Sequence, residues 1–178
     1  MTEHRASKRY ATSLLELAKE QKVLDAIRDD MNLFLEVCEV SSPFRAVLKN
    51  PEIQGDKKLN VLEALFAAKV NKITMSFFQI VVRKRREPFL LPIAEEFLHL
   101  YNVDQNIQET HITTTFKISD DLRAEFEKVA REISGMRPEI NEHVDKDIVG
   151  GFILRVDDRQ IDSSIRSKLN ELKLKLTN

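Results

Sequence analysis

The chain has 178 residues, with 28 Lys and Arg against 29 Asp and Glu, one Cys, no Trp and four Gly. At 42 % apolar and 32 % charged it is too hydrophobic for intrinsic disorder, and charges interrupt every apolar stretch before the roughly 18 residues that a membrane span needs. The near-neutral balance excludes a global positive field for holding nucleic acid, and a lone cysteine excludes an internal disulfide framework, which predicts an intracellular, reducing setting.

Glycine placement divides the chain. Gly55 stands alone before residue 105, whereas Gly135, Gly150 and Gly151 follow it, so the first hundred residues suit uninterrupted helices. Six helical segments are predicted there. Ala6–Lys19 carries Tyr10, Leu14 and Leu17 at helical spacing, with Ala11, Leu15 and Ala18 beside them. A second helix places Leu24, Ile27, Met31, Leu35 and Cys38 on one stripe. Ser42 is read as the cap of a short third helix with Pro43 in its first turn, closed at Asn50-Pro51. A fourth runs from Asp56 through Leu59, Leu62 and Phe66. The fifth spans Lys72–Arg86 and the sixth Leu90–Tyr101, with Pro88 between them. Amphipathic helices of this length bury their stripes only against one another, which predicts a six-helix bundle over residues 1–105.

After Asn106 the period changes from 3.6 to 2. Thr110, Ile112, Thr114, Phe116 and Ile118 alternate with polar residues and predict a half-buried strand. Ser119 then caps a helix with the stripe Leu122, Phe126, Val129 and Ile133, stopped at Gly135. Strands are expected at Glu139–Val144 and Ile148–Val156, a hairpin turn at Asp157-Asp158 and a short strand at Arg159–Ile161. A last helix carries Ile165, Leu169, Leu172 and Leu176. The fold class is therefore mostly α, with a small α+β domain over residues 106–178.

Little in the chain resembles reaction chemistry. His4, His99, His111 and His143 sit on four different predicted elements, none with a partner at metal-ligand spacing. Cys38 lies on an apolar stripe, where a free cysteine behaves as a small hydrophobe. Gly150-Gly151 precedes the strand-like Phe152-Ile153-Leu154, not the Lys-Ser/Thr of a phosphate loop, and suits a bulge or close backbone approach. Asp145, Asp147, Asp157, Asp158 and Asp162 fit turns and a helix cap and lack the register of a calcium loop. Neither catalytic residues, a metal nor a cofactor is expected. Arg83-Lys84-Arg85-Arg86 is open to two readings. Either it contacts nucleic acid or acidic lipid, as in a helical nucleic-acid-binding or adaptor module, or it complements the dipole at a helix C-terminus, where the absence of interleaved aromatic residues places it.

The fifth helix is apolar around too much of its circumference for a helix with a solvated back: Ile73, Phe77 and Ile80 line one side, Phe78, Val81 and Val82 another. It is either the buried centre of the bundle or the wall of a groove that receives a further helix.

Ala6-Ser7-Lys8-Arg9-Tyr10-Ala11, Leu48-Lys49-Asn50-Pro51 with Ile53, and Leu91-Pro92-Ile93 with Phe97 resemble the first domain of the δ subunit of F-type ATP synthase, called OSCP in mitochondria. Ile148-Val149-Gly150-Gly151-Phe152-Ile153-Leu154-Arg155-Val156, followed by Ile161-Asp162-Ser163-Ser164-Ile165, resembles that family's Gly-Gly strand and terminal helix. The likeness covers essentially the whole chain. Ser163 stands where the family usually has Gly, so a turn that favours positive φ is expected to be made differently or with some strain.

The resemblance implies a non-catalytic stator subunit that joins the α3β3 head to the peripheral stalk of b subunits, so that proton-driven rotation is coupled to ATP synthesis. It implies that an α subunit's N-terminal helix docks between the first and fifth helices, with Tyr10, Ser13, Leu14, Leu17, Phe77, Ile80 and Lys84 as the matching residues. Gly150, Gly151, Ile165 and Leu169 are the corresponding candidates for the C-terminal helices of b. Neither nucleic acid nor a small-molecule substrate belongs to this role. Because the family's organellar members normally carry a transit peptide and Met1-Thr2-Glu3-His4 runs directly into the first helix, a bacterial chain is expected, peripheral on the cytoplasmic side of the cell membrane.

Overall fold

A computed structural model describes residues 2–156 and 158–177. Met1, Asp157 of the expected hairpin turn and the side chain of Leu176 lie outside the described residues. The chain forms two units, Met1–Tyr101 and Asn102–Asn178.

The first unit is helical, as its apolar periodicity and lack of glycine require. Its helices are α1 (Thr2–Glu20), α2 (Leu24–Val40), α3 (Ser42–Lys49), α4 (Gly55–Phe66) and α5 (Lys72–Arg83). A 3₁₀ turn at Glu87–Phe89 leads into α6 (Leu90–Asp104), whose last three residues belong to the second unit. The core is built around Phe34, with Phe44, Phe66 and Phe78 at ring-centroid distances of 6.0, 5.7 and 5.2 Å. Four helices thus meet at one aromatic cluster, whose tilted and edge-on pairings suit the ring quadrupoles. The expected α2 stripe shifts by one residue: Ile27, Met31, Phe34 and Cys38 are buried, whereas Leu35 and Leu24 are only partly covered. Ser41, not Ser42, caps α3, its hydroxyl accepting from the Phe44 N–H at 3.3 Å. Pro43 then falls within the first helical turn, where no intrahelical donor is required.

The second unit is a four-stranded sheet in the order β2-β1-β3-β4. Strand β1 (Ile107–Thr114) is followed by α7 (Asp120–Ser134) and β2 (Arg137–Val144), then by β3 (Phe152–Val156), β4 (Arg159–Asp162) and α8 (Ile165–Thr177). β1 and β2 are parallel because α7 crosses between them; β1–β3 and β3–β4 are antiparallel. Ser119 caps α7 and Gly135 closes it at φ +70°, both as the sequence requires. The core holds Ile112, Ile118, Ala130, Leu154 and Val156, with Phe126, Ile133, Ile140 and Phe152 packed against it.

Three expectations are corrected here. β1 ends at Thr114, whose hydroxyl donates to the Phe116 carbonyl at 2.6 Å, so the chain turns and Phe116 is exposed. The buried face of α7 is Phe126, Ala130 and Ile133, while Leu122 and Val129 lie at its exposed margin. The strand expected over Ile148–Val156 begins only at Phe152, because Lys146–Ile148 forms a 3₁₀ turn and Val149 and Gly151 have φ of +66° and +79°.

Candidate helix-docking surfaces

In the first unit, Tyr10 on α1 and Phe77 on α5 meet edge-on, with ring centroids 6.3 Å apart and planes at 74°. Phe77 is almost wholly covered and Tyr10 partly so. Leu14, one turn on from Tyr10, is in the core and offers no surface to a partner. The residues left in solvent are Leu17, 40 % exposed, Ile80, 51 % exposed, and the polar Ser13 and Lys84. Helical spacing puts Ile80 on the same side of α5 as Phe77, three residues on. The structure therefore joins Tyr10 to Phe77 as a floor, leaves Ile80 and Leu17 outside and withdraws Leu14 below.

The position of α5 is fixed at both ends. Asp30 on α2 is buried, and its Oδ2 accepts from the Asn71 N–H at 2.8 Å and from the Thr74 hydroxyl. Asn71 caps the helix, accepting from the Ile73 N–H at 2.9 Å. A carboxylate here satisfies a free N–H and complements the positive end of the helix dipole. Sequence reasoning missed Asp30, yet it lies on the buried arc of α2 between Ile27 and Phe34. A charge within an apolar stripe is the signal of a buried polar tie.

At the other end Lys84 is the C-cap, and Arg85 takes the left-handed φ of +54° usually given to glycine. Arg85 and Arg86 donate their N–H groups to the carbonyls of Val82 and Val81 at 2.8 and 3.0 Å. The Arg86 guanidinium lies over the Phe89 ring, 5.9 Å from its centroid. The four-residue basic run therefore does not form one uniform patch: it closes α5, and its last member is drawn onto an aromatic face. Immediately afterwards Glu87 enters the core, where its Oε1 accepts from the Lys58 ammonium at 2.8 Å; Lys58 also donates to the Leu48 carbonyl at 3.0 Å. On α5 itself Thr74, Phe77, Phe78, Val81 and Val82 are buried, so the helix is central to the bundle and still leaves Ile80 uncovered.

Cys38 packs as an apolar residue. Burial pushes its thiol up to about 11, with Arg45 opposing and Glu95 adding to the rise, so it carries no thiolate near neutral pH. His4, His99, His111 and His143 stand on α1, α6, β1 and β2, and among the described residues no three His, Cys, Asp or Glu side chains gather as metal ligands.

In the second unit Gly150 and Gly151 act as a seat for α8. A Cβ on Gly150 would come 2.7 Å from Ile165 Cδ1, and one on Gly151 would come 2.3 Å from the Ser163 carbonyl oxygen. The Ile165 N–H donates to the Gly150 carbonyl at 2.9 Å, and the Ser163 N–H to that of Phe152 at 2.9 Å. Asp162 caps the start of α8 through Oδ1 to the Ser164 N–H at 2.9 Å and Oδ2 to the Ser167 hydroxyl at 2.7 Å. Those bonds, from Ser167 and then Ser164, hold its carboxyl below the usual carboxylate range. Ser163 is not among the residues with positive φ, so the turn is made without left-handed strain at the serine. Ile165, Leu169 and Leu172, spaced along one stripe of α8, are 44, 56 and 56 % exposed. Neither glycine, then, presents a side-chain surface; their part is to let α8 approach.

Residues 6–176 match the family model described as ATP synthase delta (OSCP) subunit. The chain belongs to that family. It is 41 % identical over 177 residues to the ATP synthase subunit delta of Cytophaga hutchinsonii, covering 99 % of this chain and 97 % of that one. To the ATP synthase subunit delta of Amoebophilus asiaticus it is 34 % identical over 166 residues, covering 93 and 90 %. A chain in the cryo-EM structure of the Toxoplasma gondii mitochondrial ATP synthase hexamer shares the fold, with a TM-score of 0.65 over 97 % of both chains at 20 % identity. As a δ (OSCP) subunit of F-type ATP synthase, the chain is part of a membrane-associated complex and serves as a stator link within it. Among the described residues no helix is long and apolar enough to cross a membrane.

Proposed function

We propose that the chain forms this link without catalysis, through two separate docking surfaces. The α1–α5 surface receives the N-terminal helix of an α subunit, and α8, seated on Gly150-Gly151, meets the C-terminal helices of the b subunits. The link works on the cytoplasmic side of a bacterial membrane. The observation that carries this reading is Ile80. A large aliphatic side chain half in solvent on the strip of α5 that Lys72, Ser76 and Arg83 also expose, one turn from the Phe77 of an aromatic floor, is the form an anchor takes before its partner arrives.

Mechanically, a stator link has to stay bound under repeated torque. Affinity differences between related complexes lie mostly in the off-rate, and apolar anchors seated in a groove lower it, whereas rim charges such as Lys84 act on encounter. Burying a whole Ile or Leu side chain contributes about 1.5–3 kcal/mol, so completing the burial of Leu17 and Ile80 adds roughly half of that for each.

Ile80→Asp tests this in the intact chain. Titration calorimetry with a peptide of the α N-terminal helix should show affinity reduced at least about tenfold, equivalent to 1.4 kcal/mol, with unchanged circular dichroism. Unchanged affinity would remove the groove assignment. Phe77→Ala is a less clean probe, because Phe77 also packs on Phe78 and Tyr10, and truncating it costs stability as well as binding.

A further inference from the structure

The exposed face of α8 has a chemistry of its own. Ile165, Leu169 and Leu172 recur at i, i+4 and i+7 and are about half in solvent; Ile165 rests on Gly150, and Leu169 and Leu172 continue its apolar stripe along the helix. At about 100° per residue, Arg166 and Lys173 fall to one side of that stripe and Lys168 to the other, whereas Glu171 falls on the far side of the helix. Arg166 and Lys168 are both exposed. The 3₁₀ turn packed against α8 adds Lys146 and Asp147, which offset each other in charge.

This face is held in place rather than loosely attached. The Asp162 and Ser164 caps, the Gly150 carbonyl and the close approach at Gly151 fix the start of α8, so stripe and cations are presented in one orientation. Cations bracketing an apolar stripe complement a partner with the same stripe bracketed by carboxylates.

We infer that α8 selects an amphipathic helix whose apolar stripe is flanked by Asp or Glu. The inference rests on the reading that α8 faces the stalk, and it names the chemistry that the stalk helix must carry. A protein helix is favoured over an anionic lipid surface because the side of α8 away from the stripe carries Ser167, Asn170 and Glu171 rather than cations, whereas surface-lying membrane helices are basic over a whole polar face.

Two synthetic peptides of about 20 residues test it, a length that spans about 30 Å of helix. Both carry Leu on the stripe and Ala elsewhere, with Glu at the flanking positions of one and Lys at those of the other. With the full chain, fluorescence anisotropy should show the Glu-flanked peptide binding at least about tenfold more tightly at low salt, with the gap narrowing as ions screen it. Arg166→Glu with Lys168→Glu should invert the preference, and Leu169→Asp should abolish binding of both peptides. Equal affinities, preference for the Lys-flanked peptide, or binding that survives Leu169→Asp would each overturn the inference. So would stronger binding, lost in Leu169→Asp, to phosphatidylserine vesicles than to the Glu-flanked peptide. Failure of the stalk reading looks different: the Glu-flanked peptide is preferred as expected, yet the C-terminal segment of b binds Leu169→Asp as well as it binds the unaltered chain.

Discussion

Lys58 shows how much of this bundle depends on single polar residues. Its ammonium is fully buried, 2.8 Å from Glu87, and no apolar stripe in the sequence points to the pairing, because the partners are 29 residues apart. Removing one member of such a pair strands a charge in low dielectric. Lys58→Ala should therefore destabilise the first unit by about 3–5 kcal/mol in urea unfolding, whereas Lys58→Met with Glu87→Leu should recover most of the loss. A Lys58→Ala chain of unaltered stability would mean that the pair is solvated. Cys38 allows a second test. Its thiol moves from an ordinary value of 9.0 up to about 11 in the folded chain, so the unfolded chain releases the proton first. Stability from this group is thus complete below pH 9 and is lost as pH rises towards about 11. Cys38→Ala should flatten the fall in urea midpoint across that window. Alkylation of the native thiol at pH 8, a pH below the ordinary thiol value, should be far slower than in urea.

At the scale of elements, periodicity was enough to place the helices, but not to say which side of each apolar stripe stays wet. On α2, Phe34 and Leu35 are adjacent and equally apolar, and only the rings of Phe44, Phe66 and Phe78 decide that Phe34 is central. On α5 the excess of apolar residues was legible, and it resolves into a buried arc with Ile80 outside. On α8 the stripe reads the same in sequence whether it faces a core or a partner; its exposure is a property of the fold. The strand expected from Ile148 fails because β-branched composition cannot reveal a left-handed backbone at Val149 and Gly151. That backbone has a consequence for α8. Gly151→Ala combines a disfavoured φ of +79° with a Cβ pressed against the Ser163 carbonyl. It should destabilise the second unit by more than about 1 kcal/mol and speed amide exchange in α8, leaving exchange in α5 unchanged. Protection of α8 equal to that of the unaltered chain would show that the glycine is not its seat. Acidification acts on the same helix. The lowered Asp162 carboxyl stabilises the folded form above its ordinary pKa, and the contribution is lost as pH falls through the folded value, so the protection of α8 relative to the intrinsic exchange rate should fall in acid.

For the whole molecule, the sequence motifs that resemble the δ (OSCP) family led to the same family that the full-length comparisons give. What was not legible was the support behind each surface: Asp30 under the start of α5, Lys58 with Glu87 beyond its end, and the glycine seat of α8 all join residues far apart in sequence or depend on backbone shape. The central claim is that one chain holds the head and the stalk at once through two independent faces. Sedimentation velocity of the intact chain mixed with the α3β3 head and the soluble part of the b subunits tests it most directly. The expected result is a ternary particle, which Ile80→Asp reduces to chain plus stalk and Leu169→Asp to chain plus head. A ternary particle that persists in both variants, or none with the unaltered chain, would contradict it.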